Sequence, residues 1–157
     1  MLPNAYLTTR QLEIWSLRLK GISKAEIGRM LGITRQAVYD AEGIMLNKVE
    51  MALTHAASSN MIEQIHIDST RGILLGYNPH VMQNVIITFS KSNGIQTWHH
   101  QQPNCTKCTL MQKCRKRLIA EAEERNIKED WGNLPPSKIA SRIFRDLIPG
   151  LDELDES

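Results

Sequence analysis

The chain has 157 residues, 41% of them hydrophobic, which is enough for one compact domain or two small ones with packed cores. No apolar run approaches the roughly 18 to 20 residues of a membrane span, and the opening MLPNAYLTTR lacks the basic start and apolar stretch of a secretion signal, so a cytoplasmic protein with no membrane partner is expected. A net charge of +2 and a pI near 8.5 are compatible with nucleic acid as a partner but too mild to argue for one, so any such case has to come from pattern.

From Thr8 to about Ala57 apolar residues recur at helical spacing, without the alternation of a strand. Thr8-Thr9-Arg10-Gln11 and Ser23-Lys24-Ala25-Glu26 both fit the capping box, in which a hydroxyl and a Glu or Gln three residues later satisfy each other's free backbone N–H groups. The first helix runs to about Lys20 and stops at Gly21; the second spans Lys24 to Leu31 and is closed by Gly32. Thr34 caps a third, whose apolar positions Val38, Ala41, Met45, Val49, Ala52 and Leu53 carry it to about Ala57. That length exceeds what a three-helix core can cover, so the stripe at Met45, Val49, Ala52 and Leu53 is expected to pair two copies of the chain into a homodimer, the alternative being that it packs on the C-terminal sheet of its own chain.

Ala57-Ser58-Ser59-Asn60 interrupts the helical pattern and suggests a domain boundary. Beyond it, Ile62 to Asp68, Gly72 to Tyr77, Val85 to Phe89 and Ile95 to Trp98 read as short strands of a small antiparallel sheet, with Ser90 to Gly94 as a hairpin loop. Thr109 to Gln112 reads as a further capping box, opening a polar helix to about Asn126. Pro135-Pro136-Ser137 starts a last amphipathic helix with Ile139, Ile143 and Leu147 on one face and Pro149-Gly150 at its end; the tail LDELDES is acidic and expected to fray. The expected fold class is α+β: a helical domain over residues 1–57, then a small sheet-plus-helix domain over 58–157 carrying the cysteines.

Two helices cross at a fixed angle when their contact is lined by small residues, the turn can reverse direction, and an apolar side chain of the second plugs into the first. Gly28, Gly32 and Val38 have that spacing, with Ile27 and Leu31 completing the inner face, which is the helix-turn-helix signature. The bland alternative is an ordinary helical hairpin. The second helix of such a pair enters the major groove by its N-terminal half, so Arg35, Gln36 and Tyr39 are the candidates for base edges: Arg35 for guanine, Gln36 for adenine, Tyr39 for a thymine methyl or a phosphate. Ser23 and Thr34 at helix starts, with Lys24 and Arg29, are the candidates for phosphate. Asp40 and Glu42 either face away from the duplex or read a cytosine.

The segment LTTRQLEIWSLRLKGISKAEIGRMLGITRQAVYDAE, about a quarter of the chain and within its N-terminal third, resembles the Tfx family of archaeal DNA-binding regulators and, more distantly, sigma-factor region four and the response-regulator helix-turn-helix. The likeness lies in the opening from Leu7 to Gln11, the stretch from Gly21 to Ile27, and the turn from Leu31 to Val38. It implies sequence-specific binding of double-stranded DNA and control of transcription. It does not reach the cysteine-bearing C-terminal part.

The three cysteines, Cys105, Cys108 and Cys114, lie within ten residues of each other, and the rest of the chain has none. In a reducing compartment such a cluster reads as a metal or redox site rather than a crosslink. Cys105 and Cys108 have knuckle spacing, Cys114 follows at a helix start, and His99 or His100 is near enough in sequence to be a fourth ligand. The C-x2-C-x5-C run suits a [4Fe-4S] cluster, preferred to Zn2+ because a second paired knuckle is missing; three reduced core thiols are the plain alternative. Lys113, Arg115, Lys116 and Arg117 surround Cys114 and read as a solvated basic face. Paired carboxylates, a phosphate loop, a nucleophile elbow and HExxH are not found, so the chain is expected not to be an enzyme. The other readings are a metal-dependent DNA-processing enzyme and a zinc-stabilised assembly factor that docks RNA or protein.

Overall fold

The Thr8 hydroxyl accepts from the Gln11 N–H at 3.2 Å and the Gln11 side chain accepts from the Thr8 N–H at 3.0 Å, the reciprocal box the sequence predicts. It starts α1 (Thr9–Leu19). The computed structural model describes residues 7–99 and 107–151. Ser23 caps α2 (Lys24–Leu31) from one side only: its hydroxyl accepts from the Glu26 N–H, while the Glu26 carboxylate is held by Arg29. Thr34 accepts from Ala37 N–H at 3.0 Å and starts α3 (Arg35–Ser59), 25 residues long. Among the described residues no helix is long and apolar enough to cross a membrane.

Four strands follow, β1 (Glu63–Asp68), β2 (Ile73–Asn78), β3 (Gln83–Ser90) and β4 (Gly94–His99), in an antiparallel sheet of order β1-β2-β3-β4. The Ser90 to Gly94 hairpin forms as expected, with Ser90 opposite Gly94 and the Ser90 hydroxyl accepting from the Asn93 N–H. A register shift between Gln64 and His66 bulges the edge strand β1, a device that discourages pairing with other chains. Opposed pairs such as Leu74–Ile87 set Leu74, Val85, Ile87 and Phe89 on one face. These four share a core with Ile14 and Trp15 of α1, Ile27 of α2, and Val38, Met45, Val49, Leu53 and Ala57 of α3.

This core corrects two expectations. The stripe of α3 is covered by the sheet of its own chain, so it offers no face to a second copy. The chain divides into compact units at 1–100 and 101–157, so the boundary expected at 57/58 falls inside the first unit. Both follow from one cause, since α3 is too long for the trihelical core and buries its surplus against β-strands that come later in the sequence. The α+β class stands.

In the second unit, α4 (Met111–Glu124) packs on α5 (Pro136–Leu147). α5 carries the amphipathic face read from sequence, with Ile139, Ile143 and Leu147 buried together with Phe144. Thr109 does not cap α4; the cap position is Leu110, which makes no side-chain cap bond. Arg115 is half-buried and donates to the Gly132 and Leu134 carbonyls, so it stitches the chain after α4 rather than joining a solvated basic face. Glu121 and Arg125 form a buried ion pair one turn apart, and breaking such a pair from one side leaves an uncompensated buried charge.

Candidate nucleic-acid interface

α2 and α3 meet where a side chain would not fit. A Cβ on Gly28 would lie 2.7 Å from the Ile33 carbonyl oxygen and 3.4 Å from the Arg35 nitrogen, both backbone atoms that cannot swing aside. The turn is closed by the Ile33 N–H donating to the Gly28 carbonyl at 2.9 Å, with Gly32 left-handed at φ 67°. Ile27 and Val38 are fully buried and Leu31 packs on the same core. Gly28, Gly32 and Val38 therefore do what their spacing predicts.

On the outer side of α3, Arg35, Gln36 and Tyr39 are exposed, Tyr39 to 61%. Gln36 donates to the Asp40 carboxylate at 3.0 Å, one turn along, whereas no hydrogen bond or ion pair engages the Arg35 side chain among the described residues. Ser23 and Thr34 use a hydroxyl lone pair for their caps, which leaves each O–H free to donate to an acceptor such as phosphate. Lys24 lies 3.7 Å from Glu42, and Arg29 pairs with Glu26. The Arg29–Glu26 pair is exposed on both sides and worth about 0.2 to 1 kcal/mol, so its exchange to an external anion is cheap, whereas Glu42 is mostly buried and holds Lys24 more firmly.

Two cations escaped the sequence reading because their partners are distant in sequence. Arg10 is exposed at the start of α1 and donates to the Leu31 carbonyl at 3.3 Å, which puts a positive charge beside the turn between α2 and α3. Arg18 is half-buried, lies 5.0 Å above the Trp15 ring and donates to the Thr70 carbonyl, tying α1 to the β1–β2 turn. Burial lowers the Arg18 pKa, and the Glu42 and Asp68 carboxylates oppose the shift.

The described residues do not show the expected cysteine cluster. Cys105 and His100 lie outside the described residues. Cys108 is exposed in the turn before α4, and its carbonyl accepts from the Met111 N–H; Cys114 is half-buried in the first turns of α4. His99 is exposed at the end of β4, in the first unit. Among the described residues no group of three or more His, Cys, Asp or Glu could hold a metal ion. Cys108 and Cys114 are free thiols, the first exposed and the second half-buried.

Comparison of the chain with family models, curated proteins and solved structures returned no match.

Proposed function

We propose that the chain is a sequence-specific double-stranded DNA-binding transcriptional regulator that reads the major groove with α3. The observation that carries this reading is the α2–turn–α3 contact at Gly28, which holds Arg35, Gln36 and Tyr39 outward on the first turns of a helix that its own core pins in place. Arg35 reaches a guanine, Gln36 exchanges its Asp40 partner for an adenine, and Tyr39 meets a thymine methyl or a phosphate. Ser23, Thr34, Lys24 and Arg29 hold phosphate, and Arg10 joins them. The resemblance of Leu7 to Glu42 to Tfx-type regulators supports the same reading.

The test is binding to a site selected from random duplexes, compared with scrambled duplex. Affinity should fall steeply as salt rises, because phosphate contacts release counterions. Arg35→Ala should cost about 1 to 3 kcal/mol on the selected site and little on scrambled DNA. An equal loss on both would move Arg35 to the phosphate backbone, and a protein that preferred RNA or single strands would not be this regulator.

We further propose that Cys105, Cys108 and Cys114 hold one metal centre, a [4Fe-4S] cluster in preference to Zn2+, whose occupancy makes the regulator responsive to redox state or metal supply. The support is the spacing of the three thiols and the exposed position of Cys108. Anaerobic purification should give a protein with bound metal and, for the cluster, a visible charge-transfer band. Each of Cys105→Ser, Cys108→Ser and Cys114→Ser should lower the metal content and speed proteolysis around residues 99–118, because ligation supplies folding free energy there. Full metal content in all three variants would reduce the cluster to three thiols.

A further inference from the structure

α3 runs on well past its outward recognition residues, and one ridge of this extension has an unexplained glycine. Gly43 is exposed in mid-helix, where glycine is among the least favourable residues. At Gly28 the chain's own backbone excludes a side chain; at Gly43 a Cβ would meet nothing within 4 Å. Nothing among the described residues requires a glycine there. One and two turns further along the same ridge stand Asn47, exposed, and Met51, 70% exposed and among the most exposed apolar side chains of the first unit.

We propose that this ridge seats a second copy of the chain, antiparallel, about a two-fold axis at Asn47. Met51 lies four residues beyond the axis and Gly43 four before it, so each Met51 enters the gap over the other copy's Gly43, and the contact is made twice. Asn47 meets Asn47, with amides that both donate and accept. Asp40 and Thr54, seven residues to either side, meet in the same way, with His55 alongside. An open depression lined by Lys24, Tyr39, Asp40, Gly43, Ile44 and Asn47 surrounds the gap. Interdigitation of ridges spaced by four is the commonest way for helices to cross.

Charge argues against DNA as the occupant. Asp40 and Glu50 carry exposed carboxylates along this stretch, Glu42 being mostly buried and paired with Lys24, and the only lysine or arginine between Asp40 and His55 is Lys48, whose ammonium donates to the Gln11 side chain at 3.1 Å. Lys24 and Tyr39, at one side of the depression, stay with the duplex; along the rest of the ridge the Asp40 and Glu50 carboxylates repel phosphate, whereas a second copy brings Thr54 and His55 to Asp40. The pairing rests on the DNA-binding reading in one respect, the spacing of half-sites. Gln36 precedes the axis by eleven residues. At about 1.5 Å rise per residue the two Gln36 lie about 30 Å apart, close to one turn of duplex.

The test is sedimentation of the full chain at tens of micromolar, together with Gly43→Leu and Met51→Lys. Leucine fills the gap while favouring the helix, so the fold is kept. The wild type should sediment as a dimer and both variants as monomers with unchanged circular dichroism. On an inverted pair of half-sites both variants should lose about a hundredfold of the affinity gained by pairing, and on a single half-site neither should differ from the wild type. A monomeric wild type, or a dimer that survives both substitutions, overturns the proposal. A wild type that dimerises through these residues but binds no duplex sinks the regulator reading and leaves the surface standing.

Discussion

Trp15→Ala is expected to destabilise the first unit by about 3 to 5 kcal/mol, the range for truncating a large buried aromatic. Trp15 is completely buried and meets Phe89 of β3 edge-to-face, ring centroids 5.1 Å apart, with the Arg18 guanidinium over its own face. The backbone at Gly72 comes so near that a Cβ there would lie 3.0 Å from the tryptophan ring, so the sheet is moulded to this one side chain. A cavity at this point cannot collapse easily, since the Phe89 N–H is bonded to the Gly72 carbonyl at 2.8 Å and both walls are held by the ladder. The loss is comparable with the whole stability of a typical domain of about 5 to 15 kcal/mol. In a Trp131→Phe background, which leaves Trp98 as the only tryptophan of the Trp15→Ala variant, urea melts followed by circular dichroism for the helices and by fluorescence for the sheet should shift together. Separate midpoints, with the sheet unaffected, would show that the helices and the sheet do not share a core.

Gly28→Ala is expected to lower stability by about 1 to 3 kcal/mol through overpacking and to abolish tight binding to the selected duplex. The added methyl would sit 2.7 Å from a carbonyl oxygen and 3.4 Å from the Arg35 nitrogen, so the crossing has to open and carry Arg35 with it. Gly43→Ala is the matched control on fold stability. With nothing within 4 Å of the new methyl and a better helix former in place, it should stabilise the isolated chain by up to about 1 kcal/mol. The opposite signs of two Gly→Ala changes in neighbouring helices are read directly from thermal melts. Wild-type affinity in Gly28→Ala would mean that the crossing angle is not set by this residue.

The local structure was legible in the sequence. Helix starts at Thr8, Ser23 and Thr34, the left-handed stop at Gly32, the α2–α3 contact and the Ser90 to Gly94 hairpin all depend on groups within a few residues of one another, so short-range chemistry decides them. The strand alternation and the face of α5 were readable for the same reason. Where a local pattern lacked its partner group, it misled: Thr109 has the spacing of a cap but α4 begins beyond it, at Leu110.

Which surfaces cover which was settled only by the tertiary structure. The stripe at Met45, Val49, Ala52 and Leu53 announces that α3 must be buried, but an apolar stripe has no direction, and the same pattern suits a second copy or a sheet. Burial against Leu74, Val85, Ile87 and Phe89 decided it, and with it moved the unit boundary from 57/58 to 100/101. Arg10 at the Leu31 carbonyl and Arg18 between Trp15 and Thr70 are likewise pairings across long stretches of chain. The meaning of the two glycines of α2 and α3 is the sharpest case. Both stand in helices and look alike as letters, yet Gly28 is pressed against backbone and Gly43 faces open space, because the sequence records residue size while only the packed chain records what lies opposite.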